Sequence, residues 1–414
     1  MTRVAIVGAG AAGLMAAIHA ARAGASVTVL ERTKDGGRKI LISGGGRCNV
    51  LPSVLDERRF VTDSSRPVMG RLLRAWPLEA QRRFFESDLG IPLALEPDTG
   101  KLFPVSNRAR DVRDRLVAAA REAGAEIRFG ATLRQLEPRR GGGWSLGIEG
   151  GSIGADRVIL ATGGLSVPNT GSDGIGLTLA DRLGHALSPT YPALTPLLAN
   201  PAVHAPLAGV SLSVGARGRR GREAATSIGG FLFTHRGYSG PSVLDVSHLA
   251  TRSRLLGEPR AEIRIAWTGE PAEAWEARLR GQSRQAVATV IRAAVPSRLA
   301  DRLREEAGVP ADRTLAQLTR TERTRLVGLL ADYPLPWTGD EGYQKAEVTG
   351  GGVALGEIDP GTLESRRAPG LHLCGEILDA FGPIGGYNFC WAWATGRQAG
   401  LGAARNLGAA PEPA

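Results

Sequence analysis

Three glycines open the chain's chemistry: Gly8-Ala-Gly10-Ala-Ala-Gly13, with Glu31 18 residues further on. Gly8 permits a tight turn, Gly10 lets main chain approach a pyrophosphate, and Gly13 lets a helix pack closely on a strand. Ala11 and Ala12 then begin a helix whose N–H groups face the negative charge. Glu31 is placed to accept hydrogen bonds from a ribose 2′-hydroxyl, which disfavours a 2′-phosphate. Together the spacing predicts a dinucleotide site.

A second stretch, "GRKILISGGGRCNV" at 37–50, lacks the order of a triphosphate loop. It offers bare backbone at Gly44 and Gly45, polar groups at Ser43, Arg47 and Asn49, and cations at Arg38 and Lys39, with Arg32 shortly before. Cys48 lies beside Arg47, a neighbour that favours a thiolate. A thiol there has two readings, a general acid toward substrate or a small packing residue. His235, in "FTHRGYSGP", closes a strand before a turn and is read either as a catalytic contact or as a satisfied turn histidine. Ser239 lacks the context of a hydrolase nucleophile. Cys374 and Cys390 read as packing. No His, Cys, Asp or Glu cluster has metal-ligand spacing, so no metal is expected.

The elements that must position these residues are legible in outline. "RVAIVGAG" reads as a buried strand running into the glycine turn, "AAGLMAAIHAARAG" as a helix closed by Gly24, and "SVTVLER" as a second buried strand. "RARDVRDRLVAAAREAG" has the apolar spacing of an amphipathic helix. "AEIRFGATLRQLE" and "WSLGIEG" read as a hairpin layer, and "DRVILATGG" as another buried strand that brings Thr162, Gly163 and Gly164 to its end. From 191 to 268 the pattern is strand-like with Pro and Gly turns; from 269 to 343 it is helical and charged. After that, "GLHLCGE" returns to buried strand and "CWAWATGRQAGLGAARN" to helix.

Composition narrows the class. The 56 glycines and 43% apolar residues in 414 suit an α/β protein of two or three domains. Three cysteines without a C-x-x-C pair argue for reduced thiols in a cytoplasmic protein. The apolar start is broken by glycines and holds His19 and Arg22, so neither export nor a membrane span is expected. The formal charge of +10 admits an acidic partner such as nucleic acid. Yet only four of the 51 bases are lysine (Lys34, Lys39, Lys101 and Lys345), and so lopsided a ratio can equally reflect coding bias.

Several long stretches carry a resemblance: "GRKILISGGGRCNV", "FPVSNRARDVRDRL", "LATGGLSVPNTGSDGIG", "GGFLFTHRGYSGPSVLDVS", "AEVTGGGVAL" and "GLHLCGEILDAFGPIGGYNFCWAWATG". Over nearly its whole length the chain resembles the YhiN/BaiN-like family of FAD-dependent oxidoreductases, within the two-dinucleotide-binding-domain flavoproteins. The resemblance implies a Rossmann-type FAD-binding domain interrupted by an inserted β-barrel-like part and a helical part. Residues 1–190 and 344–408 are its two segments, 191–268 the β-rich insertion, 269–343 the helical one and 409–414 a tail. It implies that Gly375 and Glu376 address the ribityl chain, with Asp379 close by. Gly385, Gly386 and Asn388 then face the pyrimidine edge of the flavin ring.

The implied activity is hydride transfer through flavin N5, with NAD(P)H as electron donor and an activated C=C bond as acceptor. The acceptor would be uridine in ribosomal RNA, giving dihydrouridine, or a small enone. An O2-using amine or metabolite oxidase and a non-catalytic RNA-binding or assembly factor with structural FAD are the alternatives. The basic surplus is spread over the chain without an RNA-binding stripe.

Overall fold

The computed structural model describes residues 1–257 and 259–405; the tail expected at 409–414 lies outside them. The chain divides into two compact units, Met1–Thr190 with the chain from Val348 on, and Tyr191–Glu347.

The first unit is built on a five-stranded parallel sheet. Its strands are β1 (Arg3–Val7), β2 (Ser26–Glu31), β3 (Glu126–Phe129), β4 (Arg157–Leu160) and β5 (Leu371–Leu373), in the order β5-β4-β1-β2-β3. Central strands of such a sheet are covered on both faces, which is why β1 and β4 read as unbroken apolar runs. Val4 through Val7 and Val158 through Leu160 are all buried. Helix α1 (Ala11–Arg22) ends where Gly24 takes φ +88° and donates its N–H to the Ala21 carbonyl. Helix α2 (Ala109–Glu122) is the crossover that brings β3 alongside β2.

That crossover corrects one expectation. "AEIRF" is an edge strand of the parallel sheet, not half of a hairpin. The antiparallel layer is a three-stranded meander of 133–138, 144–148 and 151–155. A second small sheet joins 51–52, 101–104 and 93–96.

Helix α3 (Tyr387–Ala404) lies along α1 at the closest approach that backbones allow. A Cβ at Gly396 would fall 2.4 Å from the Ala12 carbonyl oxygen, and one at Gly400 the same distance from that of Ala16. The two buried tryptophans of α3 do more than fill the core. Trp391 Nε1 donates to the Gly375 carbonyl (3.1 Å) and Trp393 Nε1 to that of Val50 (3.1 Å), anchoring two loops of the site.

The second unit holds a seven-stranded antiparallel sheet. Its order runs 333–334, 262–266, 211–220, 223–233, 237–239, 197–198, 339–340. The strand-like reading of 191–268 missed a 16-residue helix, Pro241–Leu256, packed on this sheet. Eleven of its residues are buried, so it shows no amphipathic stripe; only Gly240-Pro241 marks its start. Four further helices follow, at 272–279, 287–292, 297–306 and 320–331. Among the described residues, no helix is long and apolar enough to cross a membrane.

Candidate functional site

The turn after β1 behaves as its glycines dictate. Gly8 sits at φ +103° and donates its N–H to the Leu30 carbonyl at 2.8 Å; a Cβ there would lie 2.5 Å from the Ala161 carbonyl oxygen. A Cβ at Gly13 would come within 1.8 Å of the Gly8 oxygen. At Gly10 the space is open, with nothing within 4 Å of such an atom. Helix α1 begins at Ala11 with no side-chain cap, so the N–H groups of Ala11, Ala12 and Gly13 have no intrahelical acceptor. Bare N–H groups beside open space make an anion site.

Glu31 is buried at the end of β2. One carboxylate oxygen accepts the Ala9 N–H at 2.7 Å; the other accepts the Thr33 N–H (2.7 Å) and hydroxyl (2.6 Å). It pins the glycine turn to the segment that follows. Arg32 is paired with Asp173 on the surface. Across from Gly8, the Thr162 hydroxyl oxygen is buried without a partner, and Gly163 takes φ +72°.

In the 37–50 loop, Arg38 pairs with Asp35 (2.7 Å), and the Ser43 hydroxyl donates to the Ile40 carbonyl (2.7 Å). Gly44, Gly45 and Gly46 all hold positive φ, at 55°, 68° and 87°, and Gly45 has open space beside it. In the amide orientation that satisfies both of its groups, Asn49 donates to the Leu51 carbonyl (3.1 Å) and accepts the Gly386 N–H (3.0 Å). Arg113 on α2, which sequence reading passed over, donates to the carbonyls of Asp35 (3.2 Å) and Gly36 (3.3 Å), holding the loop from behind.

Cys48 departs from the thiolate expectation. Its side chain is fully buried in the apolar core, and burial pushes its thiol up to about 12. Arg47, the expected activator, turns away to Glu96 (2.9 Å) and stacks on Phe103 at 4.0 Å. Adjacency along the chain does not bring the charge to the sulfur. The thiol lies in a tight loop, where Cys48 itself takes φ +62°.

Lys39 and Glu376 meet. Lys39 Nζ lies 2.7 Å from Glu376 Oε2 and 2.7 Å from the Ser166 hydroxyl, which donates to Glu376 Oε1 at 2.6 Å. The Thr349 N–H also reaches Oε1 (3.0 Å), and its hydroxyl oxygen accepts the N–H groups of Leu165 (2.7 Å) and Ser166 (3.1 Å). A side chain at Gly164 would strike this cluster, 2.4 Å from the Thr349 hydroxyl. Ser166 and Thr349 carried no sequence signal, since isolated hydroxyl residues are common everywhere.

Asp379 is buried, and its Oδ2 accepts from the Asp63 N–H (3.1 Å) and the hydroxyls of Ser64 (2.8 Å) and Ser188 (2.9 Å). Burial holds its carboxyl above the ordinary range despite those donors. Gly375, Gly385 and Gly386 are all left-handed, at φ +79°, +122° and +89°. A Cβ at Gly386 would lie 2.5 Å from the Leu51 backbone. The Asn388 side chain is spent on Gly382, accepting its N–H and donating to its carbonyl, both at 2.9 Å. His235 belongs to the second unit, exposed in the turn between 223–233 and 237–239.

The family model described as the HI0933-like protein Rossmann domain matches residues 2–402. The chain belongs to this family of FAD-binding flavoprotein oxidoreductases. Proteins similar over nearly their full length include the 3-dehydro-bile acid delta(4,6)-reductase of Clostridium scindens, 33% identical over 98% of this chain and 99% of its own. The ribosomal RNA dihydrouridine synthase of Escherichia coli is 31% identical over 94% of this chain and 95% of its own. Its Haemophilus influenzae counterpart is 30% identical over 97% and 98%. FAD, the cofactor of the family, fits the residues present: open space at Gly10 beside unsatisfied helix N–H groups, an orphaned hydroxyl at Thr162, and glycine backbone at 44–46 and 385–386.

Proposed function

We propose that the protein is an FAD-dependent reductase that takes electrons from NADH or NADPH and saturates an activated C=C bond. The acceptor is a uridine of ribosomal RNA or a small conjugated enone. One observation carries this reading. Two relatives of nearly equal identity, each matched end to end, bear names that describe adding hydrogen across a conjugated C=C bond, one in RNA and one in a steroid-like acid.

Bound FAD supplies two-electron hydride chemistry at N5. The chain's own residues hold and orient it. Gly8, Gly10, Gly13 and the N–H groups of Ala11 and Ala12 receive the pyrophosphate, and Glu31 the adenosine ribose. The Gly44–Gly45 backbone, Thr162 and Glu376 would border the middle of the cofactor, and the N–H groups of the Gly385–Gly386 helix start would favour negative charge on it. The reaction balances as NAD(P)H, one proton and the alkene giving NAD(P)+ and the saturated bond. Cys48 keeps its proton but is buried, so the proton transfer is not assigned to it. His235 is the exposed titratable group proposed to meet the substrate. The formal charge of +10 favours RNA over a neutral enone.

The test is anaerobic. NADH or NADPH is mixed with the yellow protein, then ribosomal RNA containing uridine is added while the flavin absorbance is followed. Bleaching by a nicotinamide and recovery on adding RNA supports the RNA reading. Recovery only with an enone selects the small-molecule substrate. An oxidised spectrum unchanged by either nicotinamide overturns the NAD(P)H step and leaves the O2-using oxidase.

A further inference from the structure

We propose that Lys39 is a positioning residue: it holds the Glu376 carboxylate in a closed ring and so sets the face that Gly375–Glu376 presents to the cofactor. The proposal rests on the FAD reading above.

The ring runs Lys39 Nζ, Glu376 Oε2, the carboxylate carbon, Oε1, the Ser166 hydroxyl and back to Nζ, with each of its three hydrogen bonds between 2.6 and 2.7 Å. Its hydrogen bonding is consistent throughout. Within the ring the ammonium donates to both oxygens, the serine hydroxyl donates to Oε1, and the carboxylate only accepts. Four segments far apart in sequence meet there: the 37–50 loop, the end of the 161–166 loop, Thr349 and the turn after β5.

Among the described residues, Oε1 receives two donors, Ser166 and Thr349, while Oε2 receives only Lys39. A carboxylate oxygen can accept two hydrogen bonds, so Oε2 keeps one lone-pair direction for a cofactor hydroxyl. Lys39 decides where that direction points. The pair is well withdrawn from water, with side chains 27% and 17% exposed, so its attraction is less screened than that of a surface ion pair.

The residue type adds to the argument. With 51 Lys and Arg in the chain and only four of them lysine, arginine stands almost wherever a cation suffices. A compact ammonium reaches Ser166 and Glu376 together at 2.7 Å, whereas a planar guanidinium is larger and demands a fork of acceptors. Lysine at 39 thus suits this ring better than an arginine would.

The experiment titrates FAD and, separately, ADP into the apoprotein of wild type, Lys39→Met, Lys39→Arg, Ser166→Ala, Glu376→Gln and Lys39→Met/Glu376→Gln. Binding is followed by flavin fluorescence and by calorimetry, with thermal unfolding of each apoprotein recorded. ADP probes the Gly8–Glu31 end alone. The expected result is FAD affinity lowered about tenfold or more by Lys39→Met and by Glu376→Gln, no further loss in the double variant, and no rescue by Lys39→Arg, with ADP affinity within about twofold of wild type. FAD affinity retained in Lys39→Met, additive losses, full rescue by arginine, or an equal loss of ADP binding each overturns the proposal. Should Lys39→Met fail to fold, Ser166→Ala opens the same ring without removing charge. Unchanged FAD affinity there overturns the proposal, and a selective loss of FAD over ADP supports it. Wild type that binds no FAD overturns the cofactor reading itself, an outcome distinct from all of these.

Discussion

The α-carbon of Gly396 faces the Ala12 carbonyl so closely that a methyl group would sit 2.4 Å from the oxygen. This contact seats the first turn of α1, and so the N–H groups of the dinucleotide turn, against the C-terminal helix. Gly396→Ala must push the helices apart, at a cost of about 1–3 kcal/mol or more. Thermal unfolding of the apoprotein will show the loss, and FAD affinity should fall with it because the helix start moves.

The turn glycines separate folding from binding. Gly13→Ala would clash at 1.8 Å with the Gly8 oxygen and should abolish the folded protein. Gly10→Ala meets nothing within 4 Å and has an ordinary φ of −81°, so the apoprotein should keep its stability within about 0.5 kcal/mol. FAD affinity should nonetheless drop at least about tenfold, since the methyl enters the pyrophosphate's space. Equal FAD affinity in Gly10→Ala would refute that assignment.

Cys48 should prove inert. With its thiol buried and pushed up to about 12, iodoacetamide at pH 8 should modify it only on unfolding. Cys48→Ala should cost roughly 1 kcal/mol of stability through a small cavity and leave kcat unchanged. A fall in kcat of a hundredfold at unchanged Tm would restore it as the acid.

His235→Ala makes the complementary case. The residue is exposed, so stability should be unchanged, whereas kcat for C=C reduction should fall about ten- to a hundredfold if it meets the substrate. Steady-state rates with the acceptor identified by the anaerobic experiment decide this.

Two buried histidines, His248 and His372, and the half-buried His19 set the acid limb of stability. Burial depresses His19 to about 3, and His248 and His372 to about 4, all from 6.5. The folded state therefore binds fewer protons than the unfolded chain below pH 6.5. The contribution is fully present above 6.5 and is lost as pH falls toward 4, by about 1.4 kcal/mol per unit for each group. Asp379, raised by burial, works the other way and costs stability as pH rises past the ordinary carboxylate range. Unfolding temperatures at pH 7 and pH 5 should show the decline, and His19→Gln should flatten it.

Sequence alone determined what depends on local backbone and spacing. The glycine turn, the acid at the end of β2, the buried strands and the interrupted Rossmann architecture are written in short-range patterns, because φ, helix period and strand burial each leave a mark on neighbouring residues. A helix buried on nearly every side, Pro241–Leu256, leaves no such mark and was read as strand. "AEIRF" was misplaced because a strand's partner is decided by the crossover helix and not by the strand itself. The same limit governs the site. Arg47 beside Cys48 promised activation, yet the φ of +62° at Cys48 and the pull of Glu96 and Phe103 send the two side chains apart. Lys39 and Glu376, 337 residues apart, meet with Ser166 and Thr349 because the parallel sheet brings the ends of β2, β4 and β5 to one edge. Spacing specifies what one segment can do; only packing decides which charges share a cavity, because Coulomb and hydrogen-bond energies depend on distance in space and not along the chain.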